Sequence, residues 1–524
     1  MYQTLMFSII SMLLLSACNT KEPIPMDLNE KHLIPKPSKV EATGSSFEIT
    51  AATTIFYEEG KDDVKGMAQF LADFLQPATG MALAVEATAT KPDNGIYLHF
   101  SALEGTNETY TLELNENLID ITASGEAGLF YAIQTLRQLL PASIEATSKQ
   151  DTMWLLPSGK IEDSPNYTYR GAMLDVSRHF FQVQDVKKFI DYISMYKMNK
   201  LHLHLSDDQG WRIEIKSWPK LTAIGGSTEV GGGEGGFYTQ EEYKDIVAYA
   251  KKRQITIIPE IDMPGHTNAA LAAYPELNCD NKARELYTGT KVGFSTFCTD
   301  KEVVYEFIDD VIRELAAMTT GEYIHIGGDE SHVTPLEDYI PFINRVQKIV
   351  EKYGKKVIGW DEIAHAELLP NTLVQWWAKA DNAKKGIAQG AKVLVSPATK
   401  VYLDMQYDST THLGLHWAAY IEVDSAYIWN PATMVDGIKR DDIIGIESPL
   451  WSETITNLDE IEYMMFPRII GHAEIGWTEA TQQNWEDYRL RLAHQKERME
   501  TLGIDFYKSP LVDWDQETTA NENY

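Results

Sequence analysis

Between about residues 168 and 505 the chain alternates short apolar runs with long amphipathic stretches, and this alternation restricts its fold more than any other feature. The runs are GAMLDVS (171–177), LHLHLS (201–206), TIIPEID (256–262), YIHIGG (323–328), KVIGWD (356–361), TLVQWW (372–377), KVLVSP (392–397) and IIGIESPLW (443–451). QVQDVKKFIDYISMYKM (182–198), TQEEYKDIVAYAKKRQ (239–254) and KEVVYEFIDDVIRELAAM (301–318), lying between them, have helical period. Strands separated by helices pair in parallel, because a parallel neighbour needs a long crossover. Eight such units predict a closed (β/α)8 barrel over 165–505, an α/β fold. The segment exceeds the ~250 residues typical of that barrel, so some of its loops must be large.

Residues 33–164 read as a smaller α+β domain. GIYLHF (95–100), YTLELN (110–115) and LIDITAS (118–124) have strand period, while 66–80 and 126–140 have helical period. Leu129, Ile133, Leu136 and Leu140 share one helix face. The polar, Pro-containing stretch 19–32 reads as a tether and the acidic stretch 506–524 as a tail. Residues 5–17, LMFSIISMLLLSA, are too short to span a bilayer and fit the apolar core of a signal peptide. They run into Leu15-Ser16-Ala17-Cys18, as in bacterial lipoproteins whose cysteine is lipidated. The expectation is a 1–18 signal and an exported protein anchored to the cell envelope through Cys18. The alternative is a buried N-terminus with an incidental cysteine.

Export permits a disulfide. Cys279 and Cys298, 19 positions apart in one long loop, are expected to bridge; two separate buried thiols are the alternative. The net charge of −31 argues against nucleic acid and anionic membrane surfaces as partners, which leaves the lipid as the membrane contact.

Polar residues collect at the C-terminal ends of the barrel strands, the face on which such barrels carry their active sites. The first strand runs into Asp175, Arg178 and His179, and the second carries His202 and His204 and ends at Asp207-Asp208. The third ends at Glu260-Ile261-Asp262 before His266, and the fourth at Gly327-Gly328-Asp329-Glu330. Two adjacent carboxyls repel when both are ionised, so one is expected to titrate high and act as an acid near neutrality. Trp360, Trp376 or Trp377, and Trp451 end three other strands and suit the C–H face of a sugar, although a single such Trp equally suits the barrel–helix core. His202-x-His204 with Asp207 and His266 also has a metal-site composition. Side chains two apart on a strand sit at different depths, so a pair of core histidines is the preferred reading. The Gly-rich 225–237 reads as a mobile loop.

Seven motifs carry a resemblance: GAMLDVSRHF (171–180), LHLHLSDDQGWR (201–212), PEIDMPGH (259–266), HIGGDE (325–330), GWDE (359–362), QWW (375–377) and LWSE (450–453). In this order they resemble the β-N-acetylhexosaminidases of glycoside hydrolase family 20, whose barrel also follows a smaller α+β domain. The resemblance implies a retaining exo-hydrolase acting on glycans that end in β-linked N-acetylhexosamine, with no metal or other cofactor. It implies that Glu330 is the acid and base, that Asp329 orients the acetamido group, and that Tyr402 binds the acetamido oxygen. It further implies that Trp360, Trp376 and Trp451 wall the acetyl pocket and that Arg178, Asp404 and Glu453 take sugar hydroxyls. Asp207 and His266 would tune Glu330. Two rivals remain: a metal-dependent barrel hydrolase and a non-catalytic glycan-binding lipoprotein.

Overall fold

The computed structural model describes residues 23–515; the signal segment, Cys18 and the end of the acidic tail lie outside the described residues. The N-terminal domain is a seven-stranded sheet ordered β1-β7-β5-β6-β4-β2-β3. Its strands are β1 (Lys39–Ile49), β2 (Thr54–Glu58), β3 (Ala84–Thr88), β4 (Gly95–Phe100), β5 (Tyr110–Leu114), β6 (Leu118–Ala123) and β7 (Trp154–Asp163). Helices α1 (Asp62–Thr79) and α2 (Glu126–Leu139) bury their apolar stripes in this domain's core, and Leu129, Ile133, Leu136 and Leu140 are all inside.

All eight predicted barrel strands form. They are β8 (Tyr169–Asp175), β9 (Lys200–His204), β10 (Thr256–Glu260), β11 (Tyr323–His325), β12 (Lys356–Trp360), β13 (Leu373–Trp376), β14 (Lys392–Val395) and β15 (Ile443–Leu450). They close as a parallel barrel, with β15 pairing β8. The large loops are 261–301 after β10, ahead of the helix Glu302–Met318, and 396–442 after β14. The domains share buried polar contacts. Arg170 donates to both Glu108 carboxylate oxygens at 3.1 and 2.9 Å, and Lys197 pairs with Asp163 at 3.0 Å.

Several segments are more firmly held than their composition suggests. The stretch read as a tether is packed from Leu28, which is buried in the N-terminal core, and His32 stacks on His494 with ring centroids 3.5 Å apart. In the stretch read as a tail, Phe506 and Val512 join the barrel core. In both cases, sparse apolar residues in a polar segment find a place to be buried. The Gly-rich loop is fastened by Arg212, whose guanidinium donates to the carbonyls of Gly226, Thr228 and Gly236 as well as those of Val176 and Ser177. Cys279 and Cys298 are bridged, with Cα atoms 4.9 Å apart, which pins the loop after β10.

Candidate active site

The fourth barrel strand ends in an unusual backbone. Gly327 and Gly328 have φ of 65° and 104°, and Glu330 itself has φ of 45°. A Cβ on Gly327 would lie 1.8 Å from Asp262 Oδ1, and one on Gly328 would lie 2.7 Å from Ile363 Cγ2. Only glycine fits both positions, and the turn they make presents Asp329 and Glu330 side by side. Gly328 N–H donates to Asp262 Oδ1 at 3.0 Å and Tyr339 O–H to Gly328 O at 2.6 Å, locking the turn.

The two carboxyls differ in environment. Asp329 is the deeper: its side chain is 11% exposed against 28% for Glu330. Burial, then the Asp262 charge, push Asp329 well above the ordinary carboxyl range. Burial acts on Glu330 in the same direction but is outweighed by contact with His266 and the charge of Arg178, which hold it below its ordinary value. The pair is split, as expected of adjacent acids, but the member that titrates high in the open site is Asp329. Asp262 is itself pushed up to about 7 by burial, against the pull of His266. Asp262 and Asp329 are thus two buried, closely placed carboxyls, and the charge of the first adds to the rise of the second.

His266 has φ of 53°, and its Nε2 lies 3.6 Å from both Asp329 Oδ2 and Glu330 Oε2. Its Nδ1 is 3.2 Å from Asp207 Oδ1. Burial opposes charging this ring, but Asp207 and Asp329 raise it well above the ordinary histidine value. Asp207 also pairs with Arg178 Nη2 at 2.8 Å, and Arg178 Nη1 reaches Asp175 Oδ2 at 3.2 Å. The guanidinium lies 4.8 Å from the Trp451 ring, which fixes its plane.

Aromatic rings form the recess beside the acids. Trp360 and Trp451 are 5.7 Å apart, Tyr402 and Trp451 6.3 Å, and Tyr402 and Trp417 6.1 Å. The sixth-strand tryptophan among them is Trp377, not Trp376. Trp377 packs on the cluster of Trp360, Tyr402 and Trp451 and lies 6.1 Å from Trp417, whereas Trp376 is buried in the barrel–helix core. Strand parity is the reason: Gln375 points inward to Glu447, so Trp376 points outward and Trp377 inward again. Tyr402 lines the recess, while Tyr407 of the same loop hydrogen-bonds the carbonyls of Tyr463, Met464 and Phe466 away from it. Trp377→Ala is therefore expected to raise KM with little change in melting temperature. Trp376→Ala should leave KM unchanged and cost about 3–5 kcal/mol of stability. Steady-state kinetics and thermal unfolding of the two variants check this assignment, and a raised KM in Trp376→Ala would reverse it.

Asp404 and Glu453 complete the site. Asp404 Oδ1 accepts from Trp451 N at 3.4 Å. Burial, then the neighbouring Glu453, push Asp404 well above its ordinary value; burial raises Glu453 too, against the pull of Arg178. Asp404 Oδ2, Glu453 Oε2 and Asp329 Oδ1 are buried acceptors with no hydrogen-bond partner in the protein, and Arg178 Nε is a donor in the same condition. Buried polar atoms without partners are costly, and their concentration around one aromatic recess fits a polyhydroxylated amide as ligand.

The sequence assigns no role to Glu362, Glu260 or Glu447, although Glu260 and Glu362 stand at strand ends. Glu362 accepts from Trp377 Nε1 at 3.1 Å and is pushed up to about 8 by burial and by Asp361. Glu260 and Glu447 engage His202 at 3.0 and 2.8 Å. Both ring nitrogens of His202 and of His204 are taken by carboxylates, so this pair is a satisfied interior pair, as preferred above. Interior polar residues on apolar strands were the only available signal for the two glutamates.

Residues 167–480 match the model of the glycosyl hydrolase family 20 catalytic domain, and residues 30–164 match that of the family's domain 2. A β-N-acetylhexosaminidase of Cellulomonas fimi is 40% identical over 92% of this chain and 97% of its own length. The solved family 20 β-N-acetylhexosaminidase of Streptomyces coelicolor A3(2) superposes with a TM-score of 0.90 at 49% identity, covering 94% of this chain and all of its own. A mutant β-hexosaminidase of Streptomyces plicatus, solved with the product GlcNAc, reaches 0.89 at 50% identity, over 94% of this chain and 99% of its own.

Proposed function

The chain belongs to glycosyl hydrolase family 20 and is a β-N-acetylhexosaminidase, and from that premise we propose that it releases terminal β-linked GlcNAc or GalNAc from non-reducing ends with retention, by substrate-assisted catalysis. The observation that carries this reading is Asp329, a deeply buried carboxyl with one unpartnered oxygen beside the aromatic recess and next to the more open Glu330. An N-acetyl group seated among Trp360, Trp377, Tyr402 and Trp451 would offer its N–H to Asp329 and its carbonyl oxygen to the Tyr402 hydroxyl. That oxygen attacks C1 as the bond from C1 to the leaving oxygen breaks, and an oxazolinium forms. Glu330 gives its proton to the leaving oxygen, then takes one from the water that reopens the ring. Asp329 stabilises the positive charge that develops on the acetamido nitrogen. Arg178, Asp404 and Glu453 hold ring hydroxyls, their unpartnered atoms finding partners in the sugar. Asp207 and His266 set the acidity of Glu330.

The test replaces the acetyl hydrogens of an aryl β-GlcNAc stepwise with fluorine, which weakens the carbonyl oxygen as a nucleophile. A rate that falls with each fluorine and is unaffected by chelator is the expected result. Indifference to fluorination would sink the assisted mechanism, and loss of turnover on chelation would favour a metal-dependent hydrolase.

A further inference from the structure

The interior of this barrel is charged where a (β/α)8 barrel is ordinarily filled by branched apolar side chains. Glu447 (β15), His202 (β9), Glu260 (β10), His204 (β9), Asp207 and His266 form one continuous column, all essentially inaccessible. Glu447 Oε1 is 2.8 Å from His202 Nδ1, and His202 Nε2 is 3.0 Å from Glu260 Oε2. The same Glu260 oxygen contacts His204 Nδ1, and His204 Nε2 lies 2.8 Å from Asp207 Oδ2. A histidine with both nitrogens on carboxylates donates from both and is a cation. The charges therefore alternate along the column, which ends at His266, within 3.6 Å of Asp329 and Glu330. Glu260 is also a branch point: its other oxygen accepts the Trp360 indole N–H at 2.9 Å.

We propose that Glu260 is a positioning residue for catalysis: through Trp360 it sets the wall of the acetamido pocket, and through His204 and Asp207 it sets the His266 that tunes Glu330. The inference rests on the assignment of Glu330 as the acid. Stability does not account for the column, because buried ion pairs are often no better than apolar replacements of the same volume. The groups facing Glu260 and His204 are His202, Glu447, Asp175, Asp207 with its partner Arg178, Asp262, and His325, whose Nδ1 is 2.9 Å from Glu260 Oε1. Without the Glu260 charge, His204 loses one of its two carboxylates and no longer holds its second proton. The Asp207 charge, then less screened, keeps His266 protonated more firmly, and Glu330 is held lower. The single carbonyl oxygen of a glutamine also cannot serve Trp360 and His204 together.

The test is Glu260→Gln in the full chain, assayed on 4-nitrophenyl and 4-methoxyphenyl β-GlcNAc, with Glu330→Gln as internal standard. The expected result is a kcat/KM loss of about tenfold or more that is larger for the poorer leaving group. KM should rise, and the alkaline limb of the kcat/KM profile should move to lower pH. Glu260→Asp keeps the charge and should recover the pH profile in part; it carries the test if the glutamine variant does not fold. A folded variant with the wild-type pH profile and leaving-group dependence would overturn the proposal, even if it melts earlier. If Glu330→Gln itself shows no leaving-group dependence, the assignment of the acid fails rather than the role of Glu260.

Discussion

Glu330→Gln is expected to lower kcat by about 10²- to 10⁴-fold on a substrate whose leaving group is another sugar. With a nitrophenyl leaving group the loss should be much smaller, since that oxygen departs without a proton. The amide keeps the size of the side chain and loses only the transferable proton, so folding should be preserved. The wild-type pH profile should carry a second signature. In the open site, contact with His266 outweighs burial and holds Glu330 below its ordinary value, so kcat/KM should fall from relatively low pH as this acid loses its proton. A bound aglycone would cover the exposed part of the Glu330 side chain and remove water from it, which raises a carboxyl. The alkaline limb of kcat, which reports the complex, should therefore lie at higher pH than that of kcat/KM. Coincident limbs, or an equal loss on both leaving groups, would mean that Glu330 is not the proton donor.

Gly327→Ala should be among the most damaging one-carbon changes in the barrel. The new methyl would lie 1.8 Å from Asp262 Oδ1 and 2.8 Å from Asp262 Cα, in a residue already at φ of 65°. Asp262 stands just past β10, after Ile261, and its Oδ1 accepts from Gly328 N, so it cannot withdraw without opening the turn. A control separates crowding from backbone preference. Gly354 has φ of 71° but no atom within 4 Å of its would-be Cβ. Gly354→Ala should cost only the left-handed backbone term, about 1–2 kcal/mol. Gly327→Ala should cost on the order of 4 kcal/mol or more, with activity lost in whatever folds. Equal melting temperatures for the two variants would show that the turn yields and that its glycines are not required by packing.

The barrel was legible because its strands are buried on both faces and read as continuous apolar runs between helical stretches. The N-terminal sheet was only partly so. β1 contains a glycine and a register shift between Ala42 and Ser46, β3 is a mostly exposed edge strand, and β7 carries Pro157-Ser158-Gly159. Each blurs the two-residue alternation on which a strand assignment depends. The candidate site was legible through strand ends, since the C-terminal face gathers them wherever the loops go. Trp376 was misplaced because two adjacent tryptophans at a strand end differ only in parity, and parity is set by the inward Gln375.

The amino-acid order alone thus determined the barrel, the face that carries the chemistry and the acid pair on its glycine turn, because these follow from local period and from steric demands of neighbouring residues. Tertiary structure alone decided which acid titrates high, which tryptophan faces the recess and how Glu260 and Glu447 join the histidines of β9. Those outcomes depend on fields and contacts between groups as far apart in sequence as His202 and Glu447, which the closed barrel brings to 2.8 Å. At such separations a carboxyl's neighbours, and therefore its charge, are a property of the fold.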